Sequence, residues 1–176
     1  MPRNIEIKAR VTDIAAIKAK VIAIADAGPV EIDQDDTFFV CEAGRLKLRT
    51  FSAGEGELIF YRRDNQPGPK ESFYVRSPTS APESMREALS LAYGLAGRVQ
   101  KHRTLFLVGR TRVHLDRVSG LGDFVELEVV LGEHEFLDAG VREAHELMAQ
   151  LFAEPPQLIE GAYVDLLNSA DSSPTT

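Results

Sequence analysis

The chain has 176 residues, with 20 Lys and Arg, 27 Asp and Glu, and a formal net charge of −7 at pH 7; its 44% hydrophobic and 27% charged residues are typical of a globular protein and exclude disordered and collagen-like chains. The longest strongly apolar run, residues 21–25, is far shorter than the ~20 residues that cross a bilayer, and the N-terminus lacks the apolar stretch of a signal peptide. The single cysteine, Cys41, cannot form an internal disulfide. From these three absences together we expect a cytoplasmic protein with no membrane partner.

Apolar spacing and turn residues predict eight strands and four helices within one domain over residues 1–168. In chain order, we predict a strand at 3–11, a helix at 13–27, strands at 34–41, 45–52, 57–64 and 70–77, a helix that begins at Pro82, strands at 98–108, 111–118 and 122–131, and helices at 138–152 and 157–168. Thr12 is expected to cap the first helix, and Gly28-Pro29 to end it. Short gaps that contain Gly or Pro separate several neighbouring strands, which predicts mainly antiparallel pairs. Residues 169–176 are polar and are expected to form a disordered tail.

The net charge hides an uneven distribution. Residues 45–112 contain 13 Lys and Arg against 6 Asp and Glu, whereas the rest of the chain is strongly acidic. A locally basic segment can bind polyanions if the fold gathers its charges together.

In five of the predicted strands, charged residues alternate with less polar ones, so that each charged set lies on one face of its strand. These faces carry cations at Arg45, Lys47, Arg49, Lys101 and Arg103, and anions at Glu6, Asp116, Glu126 and Glu128. An open sheet with one solvated face shows the same alternation, but it usually mixes the two signs because like charges opposite each other destabilise a sheet. The separation of signs favours a bound polyphosphate with a divalent metal, and it predicts that Lys47→Ala or Arg103→Ala costs little stability.

Seven short motifs follow one another along the chain. They are N-I-E-I-K, Q-D-D-T-F-F, G-R-L-K-L-R, L-I-F-Y-R-R, V-Q-K-H-R, V-H-L-D-R-V-S-G-L-G-D-F-V-E-L-E and Y-V-D-L-L. In this order they resemble the CYTH domain family, which includes class IV adenylyl cyclases, thiamine triphosphatases and inorganic triphosphatases. The resemblance covers about residues 3–167. It implies an α+β fold in which eight antiparallel strands close into a barrel around a charged triphosphate tunnel, with helices outside and with Mg²⁺ or Mn²⁺ as the cofactor.

The resemblance also implies roles for individual residues. Metal binding falls to Glu6, Glu126 and Glu128, and the catalytic set comprises Glu6, Lys8, Asp116, Glu126 and Glu128. Phosphate binding falls to Lys8, Arg45, Lys47, Arg49, Arg62, Lys101 and Arg103. Arg63 lies beside Arg62 and faces the opposite way, and Arg76 is a further candidate for the tunnel. His114 is either a tunnel residue or a hydrogen-bonded structural histidine, and Tyr163 and Asp165 are expected to pack.

One position departs from the family's E-x-E-x-K signature, because Asn4 stands where the first glutamate is expected. An amide oxygen can coordinate a hard cation but brings no charge. The sequence therefore leaves open whether one or two metals bind.

Three functions fit these residues. The first is a metal-dependent hydrolase of inorganic triphosphate, thiamine triphosphate or a nucleoside triphosphate. The second is an adenylyl cyclase that converts ATP to cyclic AMP and pyrophosphate, and the third is a non-catalytic module that binds nucleotides or polyphosphate. Nucleic acid is not an expected partner, because the cations should lie inside a tunnel and the chain has no Trp for base stacking. The sequence does not separate the hydrolase from the cyclase or indicate an oligomeric state.

Overall fold

A computed structural model describes residues 3–51 and 54–171. Its elements are β1 (Arg3–Val11), α1 (Ile14–Ile24), β2 (Ala27–Phe39), β3 (Arg45–Thr50), β4 (Gly56–Arg63), β5 (Lys70–Thr79), α2 (Pro82–Tyr93), β6 (Leu95–Val108), β7 (Thr111–Val118), β8 (Gly122–Val130), α3 (Leu137–Leu151) and α4 (Tyr163–Asp171). The strands form a closed barrel in the order β1-β5-β4-β3-β2-β6-β7-β8, and every neighbouring pair is antiparallel. The predicted α+β class and eight-stranded antiparallel barrel are confirmed.

Strand β1 closes the barrel by pairing with β5 on one side and β8 on the other. Glu6 lies opposite Lys70 of β5 and opposite Glu128 of β8. Alternate residues of each strand face opposite sides of the sheet, so closure encloses the charged faces that the sequence predicts.

The apolar faces of the strands point outward and are covered by helices. Ile5 and Ile7 of β1 and Leu127 of β8 are buried beneath Leu147 and Leu151 of α3. The main hydrophobic core therefore lies outside the barrel against β1 and β6 to β8, while the interior holds the charged faces together with a few apolar side chains such as Phe38 and Val99.

Helix α4 lies across one end of the barrel. The ring of Tyr163 packs 4.9 Å, centroid to centroid, from the ring of Phe124, which is fully buried. At Gly97 a Cβ atom would lie 2.5 Å from Val164, so only glycine allows this close approach of α4 to β6. The same packing brings Tyr163 into the barrel interior.

Several predicted boundaries were wrong. Helix α1 is capped by Asp13, whose side chain accepts a hydrogen bond from the backbone N–H of Ala16, and it ends at Ile24 rather than at residue 27. Strand β2 begins at Ala27 rather than at residue 34, because β6 provides a partner strand along its whole length. A register shift between Ala27 and Val30 accommodates the Gly-Pro pair that the sequence suggested as a helix stop.

The C-terminal segment also differs from the prediction. Residues 157–159 run alongside β1: the backbone N–H of Arg10 donates to the carbonyl of Gln157, and the backbone N–H of Ile159 donates to the carbonyl of Lys8. The last helix therefore covers 163–171 instead of 157–168. Residues 169–171 of the expected tail are helical. Residues 172–176 lie outside the described residues, as do residues 52–53, at the end of the strand predicted at 45–52. Within the described chain, no helix combines the length and apolarity needed to span a membrane.

Candidate functional site

A charged cavity of about 300 Å³ lies inside the barrel. Among the described residues that line it, the cations are Lys8, Lys47, Arg49, Arg63, Arg76, Lys101, Arg103 and Arg112, and the anions are Glu6, Asp36, Glu126 and Glu128. The lining thus has eight basic and four acidic side chains, which leaves an excess of positive charge.

The two ends of this cavity differ. At one end Ala162 and Tyr163 line the cavity, and Asp165 accepts two hydrogen bonds from Arg45 at 2.9 and 2.6 Å. Arg45 therefore holds α4 across this end and is not part of the cavity lining. At the other end, where β5 finishes and β7 begins, the side chains of Arg76 and Arg112 remain 50% and 37% exposed. This second end is the more accessible entrance.

On the β2–β3 side of the cavity, two cations share one buried carboxylate. Asp36 accepts hydrogen bonds from Lys47 at 2.7 Å and from Arg49 at 2.7 and 2.8 Å. Burial would raise the pKa of Asp36, but Arg49 and Lys47 outweigh it and hold that pKa well below its usual value. Asp36 is a charge of the site that the sequence analysis missed; it keeps both cations fixed toward the cavity.

On the β6–β7 side, Arg103 forms a two-point ion pair with Asp116. The distances are 2.6 and 2.7 Å, and Asp116 also accepts a hydrogen bond of 2.8 Å from the hydroxyl of Tyr163. Asp116 is fully buried and lies behind Arg103 rather than in the cavity lining. Its contacts make it a positioning residue for Arg103 and Tyr163.

Two predicted metal ligands lie together with a histidine. One ligand atom from each of His114, Glu126 and Glu128 lies within 4.8 Å of the others. The Nδ1 atom of His114 is 3.5 Å from Glu126 Oε1 and 3.8 Å from Glu128 Oε1, and it is buried with no hydrogen-bond partner in the described chain. A buried nitrogen without a partner, facing two carboxylates, fits a divalent cation.

Glu6, the third predicted metal ligand, forms an ion pair with an arginine. Its Oε2 lies 2.7 Å from Arg63, which also donates to the carbonyl of Gly161 at 2.8 Å. Arg62 is exposed and its guanidinium lies outside, near the ring of Phe60. The cavity position predicted for Arg62 therefore belongs to Arg63, because β4 turns that neighbour inward.

The comparisons with known proteins agree with this geometry. A model of the CYTH domain family matches residues 2–163. The chain belongs to the CYTH domain family. It is 24% identical over 171 residues to the adenylate cyclase CyaB of Aeromonas hydrophila, an alignment that covers 91% of this chain and 86% of that protein.

Solved structures of this fold include two informative neighbours. The PH1012 protein of Pyrococcus horikoshii OT3 superposes with a TM-score of 0.82 at 22% identity, over 93% of this chain and 98% of the other. A putative adenylyl cyclase from Hippeastrum, HpAC1, described as having a dominant triphosphatase activity, superposes with a TM-score of 0.69 at 14% identity, over 97% of this chain and 96% of the other. At these identities, the likeness establishes the fold.

In this CYTH domain, Asn4 and Lys8 flank Glu6 on the inner face of β1. Asn4 is buried and lines the cavity, and its Oδ1 has no hydrogen-bond partner within residues 3–51 and 54–171. Lys8 lies 2.8 Å from Glu126 and 3.9 Å from the ring centroid of Tyr163. Tyr163 was expected only to pack, and the sequence gives no signal that α4 would carry it into the cavity.

Proposed function

We propose that this protein is a divalent-metal-dependent hydrolase of a triphosphate-bearing substrate. The observation that carries the proposal is the juxtaposition, inside one cavity, of the surplus of basic side chains and the His114, Glu126 and Glu128 cluster. A triphosphate chain carries several negative charges in a row, and it needs both a row of cations and a divalent metal for hydrolysis.

The cations bind and orient the phosphates in this proposal. Asp36 fixes Lys47 and Arg49, and Asp116 fixes Arg103 and lies 3.8 Å from Lys101, so little reorganisation of these side chains accompanies binding. Donors that are already in place stabilise the charge that develops on the transferred phosphoryl group.

The metal would be held by His114, Glu126 and Glu128. A divalent cation there supplies Lewis-acid charge and lowers the pKa of a bound water. Burial would raise the pKa of Glu126, but the charge of Lys8, 2.8 Å away, outweighs burial and keeps that pKa well below its usual value. Glu126 therefore stays ionised at neutral pH, as a metal ligand must, and Lys8 holds it in position.

The size of the cavity supports one orientation of the substrate in this proposal. About 300 Å³ is at the lower end of ligand-binding pockets, so the phosphates fill the interior. An organic group, such as thiamine or a nucleoside, would extend toward the exposed end at Arg76 and Arg112. Inorganic triphosphate would need no such extension.

The direct test incubates the protein with Mn²⁺ or Mg²⁺ and inorganic triphosphate, thiamine triphosphate or ATP, and measures orthophosphate. We expect release of orthophosphate from at least one of the three. Binding of triphosphate to the folded state alone should also raise the melting temperature by about 5–10 °C at 100 times the dissociation constant, while monophosphate raises it much less. Similar small shifts for both anions, abolished by added salt, would contradict a built triphosphate site.

An adenylyl cyclase is the second candidate, favoured by the similarity to the Aeromonas protein along most of the chain. In that reaction, the ribose 3′-oxygen attacks the α-phosphate, and pyrophosphate leaves. Cyclic AMP with pyrophosphate from ATP would identify the cyclase, whereas tight binding with neither product would identify a non-catalytic binder.

Triphosphate binding should take up protons at mildly alkaline pH. Burial and repulsion by Arg103 lower the pKa of Lys101 to about 7, and burial and repulsion by Arg49 lower the pKa of Lys47 to about 8. Both lysines lose their charge as the pH rises through these values, and a bound polyanion restores it. We expect affinity to fall between about pH 7 and 9, with uptake of about one to two protons at pH 8.5.

Calorimetry in two buffers of different ionisation enthalpy measures this uptake. The difference between the wild-type protein and Lys101→Met isolates Lys101 from any titration of the ligand itself. Identical proton uptake by the two proteins would show that Lys101 does not titrate on binding.

A further inference from the structure

Neither of the two acidic positions in the N-terminal signature offers a fully free carboxylate to a metal. Asn4 brings no charge, and the Glu6 carboxylate is bound by Arg63 at 2.7 Å. The N-terminal signature therefore leaves a place for another protein ligand beside Glu126 and Glu128.

His114 is placed to be that ligand. It lies on β7 directly opposite Glu126 of β8, and it is only 4% exposed. Glu126 uses Oε2 for Lys8, at 2.8 Å, while its Oε1 lies 3.3 Å from Arg103 and 3.5 Å from the Nδ1 atom of His114. Because Nδ1 has no hydrogen-bond partner in the described chain, coordination of a cation there would displace no existing hydrogen bond.

We propose that His114 Nδ1 completes a ligand set with Glu126 and Glu128, and that this nitrogen makes the site select Mn²⁺ over Mg²⁺. Mg²⁺ prefers oxygen ligands in a strict octahedron and retains its waters, whereas imidazole nitrogen favours first-row transition ions. The inference rests on the proposed function, because the same metal would serve the hydrolase.

The test uses the full-length protein and the metal alone, without a phosphate substrate. Titration calorimetry compares MnCl₂ with MgCl₂, and pulsed electron paramagnetic resonance of bound Mn²⁺ detects coupling to a ligand nitrogen. We expect Mn²⁺ to bind at least about tenfold more tightly than Mg²⁺, with a clear nitrogen coupling.

A pair of histidine variants separates this site from other histidines. His114→Asn should remove the nitrogen coupling and weaken Mn²⁺ binding by at least about tenfold, while changing Mg²⁺ binding by less than about threefold. His102→Asn is the matched control: His102 lies on the outer face of β6, 2.8 Å from Asp33 and 2.9 Å from Glu31, and its removal should change neither measurement. If His114→Asn does not fold, the spectrum of the wild-type protein decides the question by itself.

Bound Mn²⁺ without nitrogen coupling, or equal affinities for the two ions, would overturn the inference. Hydrolysis of triphosphate with Mg²⁺ in that case would leave the proposed function standing. Conversely, nitrogen coupling in a protein that hydrolyses no triphosphate would support the ligand set and contradict the hydrolase.

Discussion

Arg103→Ala should lower the free energy of unfolding by about 3–5 kcal/mol, because it leaves a buried carboxylate without its main partner. Asp116 has no exposed surface and receives both of its short ionic contacts, 2.6 and 2.7 Å, from Arg103. Lys101 is 3.8 Å away and Tyr163 donates a single neutral hydrogen bond, so neither replaces the lost charge. The charge crowding visible in the sequence predicted little cost; that prediction omits the partner that the fold gives to Arg103.

Urea denaturation of ligand-free protein measures the effect, and Arg49→Ala is the matched control. Asp36 keeps Lys47 at 2.7 Å when Arg49 is removed, so the control should lose only about 1–2 kcal/mol. Lys47→Ala should also cost little, because Arg49 still binds Asp36 through two nitrogens. Introducing Arg103→Ala into an Asp116→Ala background should cost much less than in the wild type. A loss of under about 1 kcal/mol in the single Arg103 variant would show that Asp116 is protonated or rehydrated instead.

Much of the barrel could be predicted because period-two alternation is a local property. In β3, the run Arg45 to Arg49 places charges on one face, and the barrel turns that face inward. The first half of β2 escaped prediction because residues 27–33 contain a Gly-Pro pair and exposed acidic residues. Those residues become a strand only because β6 is long enough to pair with them. Tertiary pairing there outweighs local propensity.

The sequence predicted many of the charged residues that line the site, but not which of them form ion pairs with one another. Alternation identified Lys47, Arg49 and Arg103, yet it could not show that Asp36 lies among cations, since strand pairing decides which side chains meet. The local sequence does not distinguish Arg62 from Arg63 at the end of β4, and only the orientation of the strand in the barrel turns Arg63 inward. Tyr163 is distant in sequence from every strand it contacts, so its place beside Lys8 follows from helix packing alone.

Glu128→Gln should reduce metal-dependent triphosphate hydrolysis by about 10²-fold or more, since the loss of one charged metal ligand removes several kcal/mol of transition-state stabilisation. Glu128 is the better site for this test than Glu126. Removing the charge of Glu126 would leave Lys8, 2.8 Å away and buried, without its ion pair and would disturb the fold. Among the described residues, Glu128 makes only long contacts, 3.4 Å to Arg112 and 3.8 Å to His114, so its loss should change the free energy of unfolding by less than about 1 kcal/mol.

Glu57→Gln is the matched control for this substitution, because the two side chains have the same 16% exposure and each pairs with an arginine at the open end of the cavity. Glu57 pairs with Arg76 and is not part of the cluster with His114, so its variant should keep turnover and metal dependence within about threefold of the wild type. Initial rates measured across a titration of Mn²⁺ separate the two effects. A lost ligand raises the metal concentration needed for half-maximal rate as well as lowering the maximal rate. If Glu128→Gln hydrolysed triphosphate at the wild-type rate with an unchanged metal requirement, the metal would have to lie elsewhere in the barrel, and the cluster of His114, Glu126 and Glu128 would not be its site.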